Sequence, residues 1–468
     1  MKINKIIIVG AGPASFALCK SLRVGGYIGE IIAYDCSKNK QDIVNNPVFL
    51  KGSPKTRQPE FLNATKQLQE EMQIESEIFN YIPVGGVGGG ARFWGASIAE
   101  FADKTLDRCH MDRLKYKKNL QSVIKFMSIS GNVDDGLLSK FKITPVSKSL
   151  QVTDKVKSFF KKTEDIIISW PRLAVDQSRC TLCGNCFDPC KTNAIWNISK
   201  EDFLKLNVQI ITQTVSFLSK KDKNYLIYDV NKKLLNESKV LVLAANVASN
   251  FNLLCSLSKL KKANLYSTPS YSFLVSVFKK NNLNLFGMGN STFFINSKNK
   301  STLSFGNIYD GISLNIKDRK IFSTNKFVDW TLKSFLKFTI IGVGFLSSDN
   351  IKTQIIKKDA RIKILSKSTN LYSKNISYVK NILKKNVFSI FSLAYVKTNP
   401  QGIDIHYAGG IPFDLKINPD TGAVKNYAGL YLAGGSNFSY LPPESPTLSF
   451  MANSYGVGQY ISLKHLSK

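Results

Sequence analysis

The sequence predicts an α/β fold: a Rossmann-like parallel sheet, a discontinuous α+β region beside it, and a small ferredoxin-like insert. Three observations predict it. The chain opens on a strand, a glycine turn, a helix and a second strand in that order. A run of apolar, strand-like and glycine-rich segments returns near residue 200 and again at the C-terminal end. Between them lie four cysteines, Cys180, Cys183, Cys186 and Cys190, in the spacing C-x2-C-x2-C-x3-C.

The first element is Lys5-Ile-Ile-Ile-Val9, continuous and β-branched, as a strand buried on both faces must be. Gly10-Ala-Gly12-Pro-Ala14-Ser15 follows, then Phe16 to Leu22 at helical spacing, then Glu30-Ile-Ile-Ala-Tyr-Asp35. This is the dinucleotide-binding fingerprint in its expected context. Gly10 permits the tight turn, and Gly12 lets the backbone approach a pyrophosphate at the helix N-terminus. Ser15 holds the third glycine position, where a small residue still lets helix pack on strand. Asp35 stands where a carboxylate accepts ribose hydroxyls. The same glycines interrupt the apolar stretch from Ile6 to Cys19, so it reads as a strand and turn and not as a secretion leader.

The cysteine run is an iron–sulfur spacing, because three ligands at short intervals let one loop wrap three corners of a cube. Zinc sites separate two ligand pairs by a longer spacer, and zinc and inert thiols are the alternatives. The reading is a [4Fe–4S] cluster on Cys180, Cys183, Cys186 and Cys190. The single motif leaves Cys109 and Cys255 as other candidates for the fourth ligand.

Three further segments resemble the glucose–methanol–choline (GMC) family of FAD oxidoreductases. Val84 to Ser97 resembles the family's loop along the flavin, with five glycines between Gly85 and Gly90 followed by Arg92, Phe93, Trp94 and Gly95. The strands Asn207–Val215 and Lys239–Asn246 resemble two more, with backbone near the adenine at Val215 and a closing Ala245 beside Asn246, which replaces a glycine. The run Gly429 to Ala452 is similar to the closing motif. There Gly434, Gly435 and Ser436 form a turn at the flavin, and a helix begins at Pro446-Thr447 with Ser445 as its N-cap. The resemblance implies noncovalent FAD held by Gly10, Gly12, Ala14, Ser15, Asp35, Gly86, Gly89, Arg92, Phe93, Trp94, Gly95, Val215, Ala245, Gly434, Gly435, Ser436, Pro446 and Thr447. No histidine in the glycine loop offers an attachment point.

The family's catalytic histidine opens an H-x-x-G step, which here is His406-Tyr-Ala-Gly409. The resemblance implies that His406 takes the hydroxyl proton while the adjacent carbon gives hydride to flavin N5, with Ser445 in the place of the second active-site residue, His or Asn. An alcohol, sugar or polyol is then the substrate, and the cluster relays electrons to a redox protein or quinone. Two other uses of the same parts stand beside it: an electron-transfer flavoprotein with no small-molecule substrate, and a ferredoxin-fed reductase. A redox-neutral isomerase is a weaker third. Of the other histidines, His110 and His465 both read as solvated.

The expected organisation is an FAD-binding domain in three pieces (1–105, 200–265 and 405–468), a mainly helical connection (106–165), the iron–sulfur insert (166–199) and a substrate domain (266–404). The formal charge is +31, from 64 basic and 33 acidic residues. One reading is an AT-rich coding bias; the functional reading is attraction to an anionic partner, such as a membrane surface contacted peripherally, an acidic protein or a phosphorylated substrate. Scattered lysines and the lack of a recognition module argue against nucleic acid. No apolar run is long enough to span a bilayer, and Phe327 to Leu346 reads as a core or interfacial helix. Eight cysteines with four clustered predict a reducing, cytoplasmic setting, extending to the inner face of the membrane.

Overall fold

Alternation along Lys5–Val9 sends its side chains into two cores. Ile6 and Ile8 join Ile31, Ala33, Val240 and Val242 on one face, while Ile7 and Val9 join Ile32, Tyr34, Leu241 and Leu243 on the other. All are buried, which is why these strands are continuously apolar. The computed structural model describes residues 4–36, 68–92, 94–132, 143, 145, 156–157, 159–161, 163–181, 190, 192–276, 288–289, 291–310, 339–386 and 394–466.

These strands form a five-stranded sheet in the order Leu430–Leu432, Val240–Leu243, Lys5–Val9, Glu30–Asp35, Val208–Thr212, with every pairing parallel. The chain leaves Lys5–Val9 toward one edge and later returns on its other side, so the order reverses between Lys5–Val9 and Val240–Leu243. Such a switch point opens a crevice at the carboxyl ends of the strands. The helices Pro13–Val24 and Thr447–Leu466 cover one face. They approach closely at Gly458, where a Cβ would lie 2.6 Å from the Leu18 carbonyl oxygen. The antiparallel meander Phe217–Lys221, Asn224–Tyr228 and Leu234–Ser238 and the helix Val247–Leu254 cover the other.

A mixed five-stranded sheet follows the order Tyr407–Gly409, Lys262–Ser267, Ile351–Lys358, Arg361–Ser368, Ile74–Glu75. A six-stranded antiparallel sheet follows the order Ala394–Thr398, Ser270–Ser276, Thr339–Leu346, Thr302–Asp310, Ser291–Asn296, Ile166–Ser169. The helix Asn370–Asn386 closes the latter through Ile376, Val379, Ile382 and Leu383, spaced three and four apart, which pack on Phe273, Phe293 and Ile340. Ile166–Ser169 pairs with Ser291–Asn296 and so belongs to that sheet rather than to the cysteine loop. The described part of 106–165 includes the helix Arg113–Ile124.

The helix expected across 327–346 is not what forms in its described part. Thr339–Leu346 is a strand paired on both sides. Its β-branched residues suit a pleat, and Gly342 and Gly344 leave room for the rings of Phe273 and Tyr271 opposite; a Cβ on Gly342 would fall 2.0 Å from the Phe273 ring. Residues 311–338 lie outside the described residues. Among the described residues no helix is long and apolar enough to cross a membrane.

Candidate functional site

A cavity opens at the switch point, above the ends of Lys5–Val9 and Val240–Leu243. The fingerprint residues Gly10, Gly12 and Ala14 line it, with Asp35 from the second strand and Gly86 and Gly89 from the glycine loop. The fingerprint turn and the loop are held together. The Gly88 amide donates to the Ala11 carbonyl at 2.8 Å. A Cβ on Gly89 would stand 3.3 Å from the Gly12 Cα. One on Gly90, also in the wall, would meet nothing within 4 Å and would project into open space. A wall stripped of side chains beside a helix N-terminus fits the pyrophosphate of a dinucleotide.

Asp35 does more than the sequence suggested. Its Oδ2 accepts from the Ala11 amide at 2.5 Å and its Oδ1 from the Gly86 amide at 2.9 Å. One carboxylate thus clamps the turn to the loop. Burial raises its pKa above the usual carboxylate value, against the lowering by these two amides. Val215 lines the cavity with Gln213 and Thr214, as does Ala245. Asn246, the departure from the family glycine, lines it too. Its Oδ1 caps the helix Val247–Leu254 by accepting from the Ser249 amide at 3.0 Å and takes the Tyr81 hydroxyl at 3.0 Å.

His406, Gly434, Gly435, Pro446 and Thr447 complete the wall, and Gly434 lies against the fingerprint helix, where a Cβ on it would stand 3.0 Å from the Ala14 Cβ. Gly435 brings the C-terminal motif against the histidine segment, since a Cβ there would lie 2.5 Å from the Tyr407 carbonyl oxygen. His406 Nδ1 is 3.1 Å from Thr268 Oγ1, and its ring packs on Phe345 with centroids 4.9 Å apart. Desolvation lowers its pKa from 6.5 to about 4, so the imidazole is neutral. Two residues earlier, burial lifts Asp404 to about 7 against its bond from Ser270, and its Oδ2 has no hydrogen-bond partner among the described residues.

Some expected residues fall elsewhere. Ser15 is buried, Ser436 accepts from Asn250 Nδ2 at 3.0 Å, and neither lines the cavity. Ser445 is buried and also outside the lining. Nor is it the N-cap: the C-terminal helix begins at Thr447, and the Phe450 amide bonds to the Pro446 carbonyl at 2.9 Å, so Pro446 is the capping position. His465, expected in solvent, is half-buried with its Nε2 3.2 Å from the Tyr431 hydroxyl, because the last helix turns it onto the sheet. His110 is exposed.

Arg92, Trp94 and Gly95 are not in the cavity wall. Arg92 folds back over Gly88, its Nη1 donating to the Val87 carbonyl at 3.4 Å, and Gly95 lies beside Tyr309. Trp94 faces the cysteine segment: its Nε1 donates to the Trp196 carbonyl at 3.1 Å, and the two rings meet edge to face at 6.0 Å. That segment is stitched down on both sides of the cysteines. Val175 and Ile195 bridge antiparallel, and the Ala174 amide bonds to the Ala96 carbonyl at 2.8 Å. Cys180 and Cys190 pack against the same core as Leu173, Val175 and Ile195, whereas Cys255 lies in another. Burial acts to raise Cys190, and the Thr192 hydroxyl with the amides of Ile195, Ala194 and Thr192 more than offsets it, leaving the thiol below its usual value. Donors turned toward a sulfur suit a ligating thiolate. Cys183, Cys186 and Phe93 lie outside the described residues, and among those described no group of three ligands gathers.

Residues 173–196 match the family of the 4Fe-4S binding domain. Whole-chain likeness appears among solved structures. Pyridoxine 4-oxidase from Mesorbium loti superposes with a TM-score of 0.61 at 11% identity, covering 97% of this chain and 98% of that one. Formate oxidase of Aspergillus oryzae RIB40, in a study of FAD modification, gives 0.57 at 11% identity over 99% of both chains. A second formate oxidase structure gives 0.59 at 10% identity over the full length of both. The chain shares their fold. It is an α/β architecture built on a parallel sheet, as the sequence predicts, with the 4Fe-4S match falling between its glycine loop and its third parallel strand. A sequence comparison with curated proteins finds no match.

Proposed function

We propose that the chain is an FAD-dependent oxidoreductase that oxidises the CH–OH group of an alcohol, sugar or polyol and passes the electrons on through a [4Fe–4S] cluster to a redox protein or quinone. The observation that carries this reading is the cavity on which the fingerprint, the glycine loop, Val215, Ala245, His406 and the C-terminal motif converge. The solved oxidases of the same fold support it.

FAD supplies the hydride acceptor when bound. Gly10, Gly12, Ala14, Gly86 and Gly89 would hold its pyrophosphate, Asp35 and Val215 its adenosine end, and Gly434, Gly435, Pro446 and Thr447 its ring end. His406 takes the substrate's hydroxyl proton, a task for which a neutral imidazole is fitted. The N-terminus of Thr447–Leu466 turns the positive end of a 20-residue helix toward that part of the cavity, which favours negative charge there. Ser445 lies outside the wall, so His406 stands on the cavity without it.

The test is anaerobic. Candidate alcohols and sugars are added to the purified protein, and the flavin and cluster absorption are followed. Bleaching of the flavin and then of the cluster is expected. If neither changes while dithionite or reduced ferredoxin reduces both, the substrate reading fails and an electron-transfer flavoprotein or a reductase takes its place. Separately, Cys190→Ser should lose much of its iron and sulfide while keeping FAD. Full retention of iron would move the fourth ligand to another residue.

A further inference from the structure

We infer that Thr268 is a positioning residue for His406: its hydroxyl accepts a hydrogen bond from Nδ1–H and thereby leaves Nε2 unprotonated for the substrate. This rests on the reading of His406 as the base.

The geometry comes from a sheet corner. Thr268 is fully buried in the short link between the strands Lys262–Ser267 and Ser270–Ser276, which belong to different sheets. Leu265 pairs with Gly409, Tyr266 with Ala408 and Ser267 with Tyr407. Continued by one residue, that register sets Thr268 opposite His406. The link is fixed on its far side as well. The Leu346 amide bonds to the Pro269 carbonyl at 2.9 Å, and the Asn399 amide to the Ser270 carbonyl at 3.0 Å. Phe345, which pairs with Ser270, lies against the imidazole. One sheet corner thus supplies a hydroxyl to one nitrogen, and the six-stranded sheet supplies a ring against the imidazole.

Proton bookkeeping decides the direction of the bond. A neutral imidazole carries one N–H. If Thr268 donated to Nδ1, the proton would sit on Nε2, and that nitrogen could only donate. With Nδ1–H donating to Thr268 Oγ1, the Nε2 lone pair is free to accept the substrate's hydroxyl proton. The imidazolium so formed keeps its Nδ1–H on Thr268. A partner on one ring nitrogen setting the state of the other is the general way such rings are tuned.

The chain has three histidines, so the tautomer can be read directly. Purified FAD-loaded protein with 15N-labelled histidine is examined by NMR, and the His406 signals are assigned by their loss in His406→Asn. The expected wild-type pattern is Nδ1 protonated and Nε2 bare. In Thr268→Val, which keeps shape and removes the hydroxyl, the proton should shift toward Nε2. Substrate-driven flavin reduction should slow roughly 10- to 100-fold, a part of what a general base contributes, with substrate affinity unchanged. Thr268→Ser should restore both, and Thr268→Ala serves if the valine protein does not fold. An Nε2–H tautomer in the wild type, or an unchanged tautomer in the valine or alanine protein, overturns the inference. Flavin bleaching that survives His406→Ala would instead overturn the reading of His406, while the tautomer result would stand.

Discussion

His406→Ala should bind FAD and yet lose substrate-driven flavin bleaching by about 10²- to 10⁴-fold, the usual contribution of a positioned base. FAD retention is expected because the proposed pyrophosphate and ribose contacts come from other residues of the wall, Gly10 to Ala14 and Asp35. The pH dependence gives an independent check. A base works only when unprotonated. Desolvation brings His406 from 6.5 to about 4, so the working fraction is complete near neutrality and disappears as pH falls through about 4. The rate of flavin reduction should therefore stay level down to about pH 5 and then drop, and the Ala variant should lack that limb. A second inflection near 7 that persists in the Ala variant would belong to Asp404, which burial lifts to about 7. Anaerobic stopped-flow across pH settles it. A midpoint near 6.5 for the limb that the Ala variant loses, or bleaching at the wild-type rate in the variant, would sink the role given to His406.

The parallel sheet was legible because its physics leaves little choice. A strand covered on both faces must be continuously apolar, and a turn that meets backbone must be glycine; Lys5–Val9 and Gly10 satisfy both. The convergence of distant segments on one cavity was implied by the family resemblance of the glycine loop, the two later strands and the C-terminal run, and by no local pattern. What failed to show was tertiary. Asp35 announces a carboxylate at a strand end, but nothing local says that Ala11 and Gly86 will take both oxygens. Ser445 and Pro446 differ by one residue in their claim to the cap, finer than sequence signals resolve. In the strand Thr339–Leu346, apolar length suggested a helix. Glycines two apart, facing aromatic rings across the sheet, were the missed sign of a pleat. Thr268 carries no local signal at all; it matters only because two sheets meet at it.

Gly10→Ala should cost roughly 3 kcal/mol or more, the sum expected from a strained φ and a steric clash in a packed interior. Gly10 has φ +105°, a conformation that L side chains rarely adopt. Its Cβ would lie 2.6 Å from both the Ala244 carbonyl oxygen and the Ala245 amide nitrogen. Both lie just past the end of the neighbouring parallel strand Val240–Leu243, so the obstacle is backbone and cannot swing aside as a side chain would. Retreat in the other direction is blocked as well, because the Gly10 amide is bonded to the Tyr34 carbonyl at 2.7 Å on the opposite neighbour. Relief has to come from splaying Lys5–Val9 away from Val240–Leu243, which opens both cores and moves Ala11 off the Asp35 carboxylate. The expected result is a lower melting temperature together with poor FAD content, worse again for Gly10→Val. Gly90→Ala is the control: its Cβ meets nothing within 4 Å, so the melting temperature should hold. A Gly10→Ala protein with wild-type melting and flavin content would show that the sheet opens at its switch point far more easily than a strand buried on both faces should.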